Sequence, residues 1–331
     1  MLILKVPGLN APYLQCLSLT EGCNSHSRLE CLVKAQEERA AVLKCLGADT
    51  ELHFELAEQS KLLFKGIITA ISERHDRHWQ LVVSSRSVLM DLTLCTRSFM
   101  ASGQTPVAVK DLPDFRSAFQ NIQGLDRLTF PVASLTQWQE SDWVFLIRLA
   151  QRAQAVVVND LNKGVWLLGE APGPNFSLIE AGTVVERISV RLGFPVTETA
   201  VVNSTRGAIS GPTQANAKGE WPVAGIKSPS TDPFRFFITD LPTNQTPRDV
   251  SQFFSEHTLA GLFRWDAECS NPTVAVGAKI TFPSGHPVTK NLVVVARHLT
   301  MTQHHQDYGV RNKLVCTTKL IPMAGDQQND G

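Results

Sequence analysis

No stretch of this chain approaches the roughly 20 consecutive apolar residues that cross a bilayer as a helix, and its start, MLILKVPGLN, meets Pro7 and Gly8 after a few apolar residues. That is too short for a secretory core and lacks the basic residues that precede one, so folding in the bacterial cytoplasm without a signal peptide is expected. Net charge is lacking too: 31 basic side chains balance 31 acidic ones. A strongly basic surface for nucleic acid is therefore not expected, although a local patch is compatible with a neutral total. No C-x-x-C occurs among the seven cysteines, Cys16, Cys23, Cys31, Cys45, Cys95, Cys269 and Cys316. An odd count with no paired spacing argues against a disulfide framework or a zinc site and for reduced, buried thiols. H-E-x-x-H, G-x-S-x-G, G-x-x-x-x-G-K-[ST] and G-x-G-x-x-G are all missing, which removes the best-marked hydrolase, nucleotide and dinucleotide chemistries.

What is there is β-rich. The 331 residues are 43% apolar and 19% charged, ordinary values for a globular chain large enough for two or three compact units. "QCLSLT", "SRLECLVKA" and "ELHFEL" are short bursts of β-type residues punctuated by Gly, Asn, Asp and Ser. Residues 63–84 spell a hairpin. Leu63 to Ile71 is apolar on both faces, Glu73 to His78 turns the chain, and Trp79, Leu81 and Val83 share one face of the return arm. Gly66 inside the first arm predicts a bulge or a close backbone approach. Short helices are expected in 85–100 and in "DFRSAFQNI" from Asp114.

The clearest helix is 141–154. Ser141 is a good N-cap, Asp142 suits the positive end of the dipole, and Phe145, Leu146, Leu149, Ala150 and Ala153 make one apolar stripe. "AVVVND" and "GVWLLG" read as two strands joined by a turn. "RISVRLG" and "TETAVVN" add strands, and 204–235 is a long polar arm rich in Gly, Pro, Ser and Thr. A second helix is expected over 246–262, with Thr246 as cap, Pro247 at the first position and Asp249 in place of the capping-box Glu. "TVAVGAKITF", "NLVVVARHLTM" and "KLVCTTKLIP" return to strand, and 323–331 reads as a disordered tail.

Each cluster that could carry chemistry has a plainer reading. "ERHDRH", Glu73 to His78, offers two histidines and two carboxylates for a metal or acid–base work, but the alternation around it makes it a solvated turn. In "QHHQD", adjacent His304 and His305 on a strand point apart, which argues against joint ligation with Asp307. Ser210 in the glycine-flanked "GAISG" has the wrong spacing for a nucleophile elbow. Trp138 and Trp143 could form a binding platform and are expected instead to be core anchors. No metal ligand, cofactor or catalytic residue is assigned.

Three segments carry a resemblance. In "LFKGIITAISERHDRHWQLVVSSRSVLMDLTLCTRSF", Phe64, Gly66 and Ile68 occupy a strand, followed by a turn, a return strand, and Arg97 and Phe99. In "WQESDWVFLIRLAQRAQAVVV", Glu140, Ser141, Asp142, Phe145, Arg148 and Leu149 mark a helix before a strand, with Gln154-Ala155 where a glycine would stand. At the end come Gly277 within a strand, His298 closing a strand, Tyr308 in a loop, and Ile321-Pro322 after the last strand. In order and spacing these resemble the hub family of contractile tails that includes VgrG spike proteins, late-control D proteins and the T-even baseplate hub.

The resemblance implies an α+β, β-rich fold of two similar small β-barrels (tube-like domains) with peripheral α/β elements. The first barrel would span 1–95. The peripheral part would span 96–182. The second barrel would be assembled from 183–210 and 273–322, with 211–272 as an arm and helix. It implies a homotrimer that adapts a sixfold tail tube to a threefold spike, with a central spike protein, a tail-tube protein and other baseplate proteins as partners, no cofactor, and passage of DNA or effector through a lumen. Larger VgrG chains continue into an OB-fold and a needle, so the resemblance implies either a stand-alone hub, with the spike on another polypeptide, or a shortened piece of a longer chain. A tip-associated cell-wall hydrolase, resting on carboxylates such as Glu73, Asp76 and Glu140, and a monomeric binding module are the rival classes. The machine itself, whether phage, pyocin-like particle or secretion system, is left open.

Overall fold

A computed structural model describes residues 2–10, 12–56, 59–101, 107–132, 134–153, 155–160, 164–168, 173–190, 196–202, 209–214, 234–239, 263–304 and 307–318. The helix expected over 246–262, most of the polar arm, the tail, and Ile321 and Pro322 lie outside the described residues.

Six strands open the chain: β1 (Leu2–Lys5), β2 (Tyr13–Gly22), β3 (Arg28–Lys34), β4 (Asp49–Leu56), β5 (Gln59–Glu73) and β6 (His78–Ser84). A short helix α1 (Arg39–Leu43) lies between β3 and β4. Across the sheet they run β1-β4-β5-β6-β3-β2. Period-2 alternation sends Leu17, Leu19, Leu29, Cys31, Val33, Trp79, Leu81 and Val83 into one core with Phe64 and Ile68. The 63–84 hairpin folds as its pattern dictates, and Asp76 and Arg77 take left-handed conformations at its turn.

A 3₁₀ turn, Arg86–Asp91, then leads into a peripheral module. Strand β7 (Leu94–Met100) stands where part of a helix was expected. Its Thr, Cys and Phe content favours strand, and the strand Ser134–Ser141 offers it a partner. Short β8 (Val107–Ala108), α2 (Pro113–Ala118), β9 (Ile122–Gln123) and β10 (Pro131–Val132) follow, then β11 (Ser134–Ser141) and α3 (Asp142–Arg152). β11 pairs with β7, and β12 (Val156–Asp160) pairs with β13 (Gly164–Leu168), which also takes β9. Phe99, Phe115, Phe119 and Phe145 are buried at the centre of this module.

The second half supplies β14 (Asn175–Ser177), α4 (Leu178–Ala181) and β15 (Thr183–Val190). β16 (Val196–Val202), β17 (Ile209–Gln214) and β18 (Phe234–Thr239) form a separate sheet in the order β17-β16-β18. β19 (Phe263–Cys269), β20 (Lys279–Thr281), β21 (Leu292–His304) and β22 (Asp307–Thr317) complete the chain. Three boundaries therefore differ from expectation, the first being that β14, expected in the peripheral part, pairs with β20. β16 leaves the second unit because it pairs with β17 and β18. Residues 263–269, expected in the arm, form a strand between β15 and β22, burying Phe263, Trp265, Ala267 and Cys269.

The second unit runs β14-β20-β21-β22-β19-β15. Counting the strands of each unit in chain order, both halves read 1-4-5-6-3-2 across the sheet. The likeness extends to irregularities. The ladder slips between Leu14 and Cys16 opposite Val33 and Leu32, and between Thr183 and Val185 opposite Cys269 and Glu268. It slips again between Ile68 and Ala70, and between Val294 and Ala296. Gly47 and Gly277, both at positive φ, donate their N–H to Ile68 O (2.9 Å) and Val294 O (2.8 Å), and the alanine after each accepts from the same residue. One strand pairing departs from the repeat: β1 meets β4 antiparallel, whereas β14 meets β20 parallel. Together the units form one large, mostly antiparallel 12-stranded sheet. The register of the two halves, not their residues, is duplicated.

Candidate functional site

The residues singled out in the sequence that the structure describes gather at three places. The first is β5. Phe64 and Ile68 are core residues. Gly66 lies so close to β6 that a Cβ there would sit 2.3 Å from Ser84 O, which is the close approach that its place in a strand predicted.

The second is the peripheral module, where Arg97, Phe99, Glu140, Ser141, Asp142, Phe145, Arg148 and Leu149 converge. Arg97 donates to Asp142 through Nη2 and to Gln137 Oε1 through Nε (3.1 Å). Gln137, fully buried, donates in turn to Asp142 Oδ1 (2.8 Å) and Glu140 O (3.0 Å). Arg148 pairs with Glu140, donates to Thr136 O (3.0 Å) and lies over the Phe145 ring at 5.0 Å. Phe99 stacks on Phe145 with centroids 5.9 Å apart, and Leu149 is fully buried. Ser141 Oγ caps α3 by accepting from Val144 N (3.1 Å). Charged side chains here clamp strand to helix. Trp143 is buried as expected, but Trp138 is 68% exposed, because alternation along β11 buries Leu135 and Gln137 and puts Trp138 on the outward face with Ser134 and Thr136.

The third place is the joint between units. β2 pairs antiparallel with β21 from Cys16↔Thr302 to Gly22↔Ala296. Leu299 and Met301 of β21 enter the first unit's core, while Leu292 and Val294 of the same strand enter the second unit's. Glu21 and Arg297 face each other at this joint, 7% and 2% exposed. Arg297 Nε donates to Glu21, Nη1 to Pro272 O (3.0 Å) and Val274 O (3.1 Å), and Nη2 to Leu63 O (3.3 Å). A buried guanidinium needs this many acceptors, since each unpaired donor would cost desolvation. On the opposite face His298 bonds to Ser18 Oγ (2.7 Å), and burial, with Lys313 nearby, lowers its pKa. Sequence reasoning missed Glu21 and Arg297. The signal was available: each sits in phase with buried leucines, Leu17 and Leu19 on one strand and Leu299 on the other.

One further array has the outline of a nucleophile, base and orienting acid. Ser87 Oγ lies 2.8 Å from His26 Nδ1, and His26 Nε2 lies 2.6 Å from Asp91 Oδ2. Ser87 is only 3% exposed, and its hydroxyl is also bonded to Ser85 Oγ (2.8 Å). Ser85 Oγ accepts from Ser27 N, and Asp91 accepts from Ser141. A hydroxyl tied into such a network and shut from solvent cannot meet an acyl substrate. The array fastens the start of β3 to the turn before β7 and to the cap of α3, and His26 stacks on Trp143 (4.3 Å).

Metal chemistry finds no seat: among the described residues no group of three or more His, Cys, Asp or Glu side chains could hold an ion. In "ERHDRH", Glu73 pairs with Arg39 and Asp76 with Lys34 at the hairpin end. His304 and Asp307 are opposed backbone register positions at the end of the β21–β22 ladder. All seven thiols are free, and burial pushes those of Cys23 and Cys31 up to about 12 and that of Cys269 to about 11. Such thiols stay protonated and inert. Among the described residues no helix is long and apolar enough to cross a membrane.

The profile of the phage tail baseplate hub (GPD) family matches residues 20–161. No curated protein matches the chain. Among solved structures, an Escherichia coli component of the type VI secretion system, itself described as similar to the T4 tail proteins gp27 and gp5, aligns with TM-score 0.61 at 11% identity over 96% of this chain and 76% of that one. A tail protein from Neisseria meningitidis aligns with TM-score 0.60 at 9% identity, over 96% and 95%. The 43 kDa tail protein of prophage MuSo2 from Shewanella oneidensis gives 0.60 at 11%, over 95% and 97%. At such identities the likeness is one of fold.

Proposed function

Since the chain is of the phage tail baseplate hub family over residues 20–161, we propose that it is a structural hub of a contractile injection machine, a homotrimer that joins a sixfold tail tube to a threefold spike. The observation that carries this reading is the duplicated unit. Two units with one strand order and matching ladder slips lie side by side in one sheet. Three such chains present six similar units around an axis, so one face can meet a sixfold partner while the rest of the chain, present three times, meets a threefold one. Each unit is read as a small tube-like barrel. In the first, β1 and β2 are the two ends of the strand path and lie against each other, so its sheet curls toward closure. The absence of an accessible nucleophile in the His26 array favours an assembly role over catalysis.

The spike, the tail tube and other baseplate proteins are the partners that follow from this reading, and a ring of six units leaves a lumen for DNA or an effector. Native mass measurement across a concentration series, with negative-stain images of the same sample, tests it. The expected result is a threefold mass and rings with six lobes. A chain that stays monomeric up to millimolar concentration would overturn the hub reading in favour of the binding module.

A further inference from the structure

The joint between the two units has an unused counterpart in each unit. β2, the second strand of the first unit, pairs with β21, the fifth strand of the second unit. In the second unit the strand equivalent to β2 is β15, which ends the sheet path and pairs only with β19 among the described residues. In the first unit the strand equivalent to β21 is β5. β4 covers its first half up to Ile67, and Gly47 and Ala48 take the N–H and C=O of Ile68. Beyond Ile68 the β4-side edge of β5 has no ladder partner among the described residues. Each chain thus carries one open edge of the kind that gives at its internal joint and one of the kind that receives. Open edges seek a strand.

We infer that β15 of one copy adds to the Ala70–Glu73 edge of β5 in the next copy, antiparallel, in the register that β2 and β21 use within the chain. This rests on the trimeric hub reading and specifies its interface. The matching slips fix the register. Thr20↔His298 and Glu21↔Arg297 become Ser189↔Ser72 and Val190↔Ile71, and Leu19↔Leu299 becomes Ile188↔Glu73. The chemistry of the two joints then differs. Where the internal joint holds a buried ion pair, the equivalent register positions of the joint between copies carry no charge. Exchanging the partners would set Val190 against Arg297 and leave that guanidinium without its carboxylate. The difference therefore keeps β15 from competing with β2 for β21. Near both edges large apolar side chains stand in solvent: Leu43 and Leu46 at 45% and 59% beside β5, and Ile179 and Val185 at 91% and 59% beside β15. Exposed apolar residues near both open edges are what an interface between copies would bury.

The test is a cysteine pair in the full chain, Ser72→Cys with Ser189→Cys, in a background where the two partly exposed natural cysteines are removed (Cys16→Ser, Cys95→Ser). Directly opposed residues on paired strands are within disulfide reach. Mild oxidation is expected to give covalent trimers in denaturing gels. The pair Ser72→Cys with Ile188→Cys, one residue out of register and on opposite faces, is expected to give none. A threefold native mass with no cross-link from the first pair, or cross-linking only by the second, overturns the assigned edges and leaves the hub reading standing. A monomer at every concentration overturns both.

Discussion

At the scale of single residues, the buried charged side chains among the described residues, Glu21 and Arg297, meet in one contact. Arg297 and Glu21 tie both units together, and Arg297 reaches carbonyls from each. Arg297→Met leaves the Glu21 carboxylate buried and unpaired, so a loss of about 3–5 kcal/mol is expected in urea unfolding. Glu21→Leu together with Arg297→Met restores an apolar pair and should recover most of it. Gly66→Ala drives a Cβ into the backbone of Ser84, with an expected cost of about 1–3 kcal/mol.

Glu51 gives a signature in pH. Hydrogen bonds from Lys65 and then His53 hold its carboxyl below the ordinary value of 4.5. A lowered folded-state value means that its contribution is complete above about pH 4.5 and fades as pH falls through the folded value. Glu51→Gln should therefore flatten the acid limb of a stability profile while barely changing it near neutrality. Of these residues Gly66 was legible from its place in a strand, whereas Arg297 was not, because its partners come from three separate segments.

At the scale of elements, local signals were read well wherever the partner strand or helix was near in sequence. The 63–84 hairpin and α3 follow directly from alternation, an N-cap and an apolar stripe. Ser141→Ala removes the cap of α3 and the bond to Asp91 together, and a loss of about 1–2 kcal/mol is expected from chemical denaturation. β7 and β19 were misread because their pairing is not local. β19 is flanked by β15 and β22, and its alternation of Phe, Trp, Ala and Cys with charged residues is visible only after the preceding segment is not assumed to carry a helix onward. Trp138 was misjudged on residue type, since alternation along β11, with Leu135 and Gln137 buried, assigns it to the outward face.

At the scale of the whole molecule, the duplication was not visible in the residues at all. Equivalent positions hold Leu17 and Glu186, or Ile71 and Arg297, so only pairing and slips reveal the likeness. The family resemblance supplied the expectation of two similar units, and their common strand order follows from the ladders. One core depends on the other half of the chain: Leu299 and Met301 complete the first unit. A fragment of residues 1–101 is therefore expected to collapse without native packing, with β-type circular dichroism but poorly dispersed amide resonances. A well-dispersed spectrum would contradict the shared core.

β21 also bears on how the protein meets force. It is threaded through both cores and held to β2 by seven consecutive register pairs. Tension applied across the chain loads both units through that one strand, and neither can yield while the other stays intact. Single-molecule extension should accordingly record the two units giving way in one abrupt rip, as a single mechanical fuse, and not as a sawtooth of two independent domains.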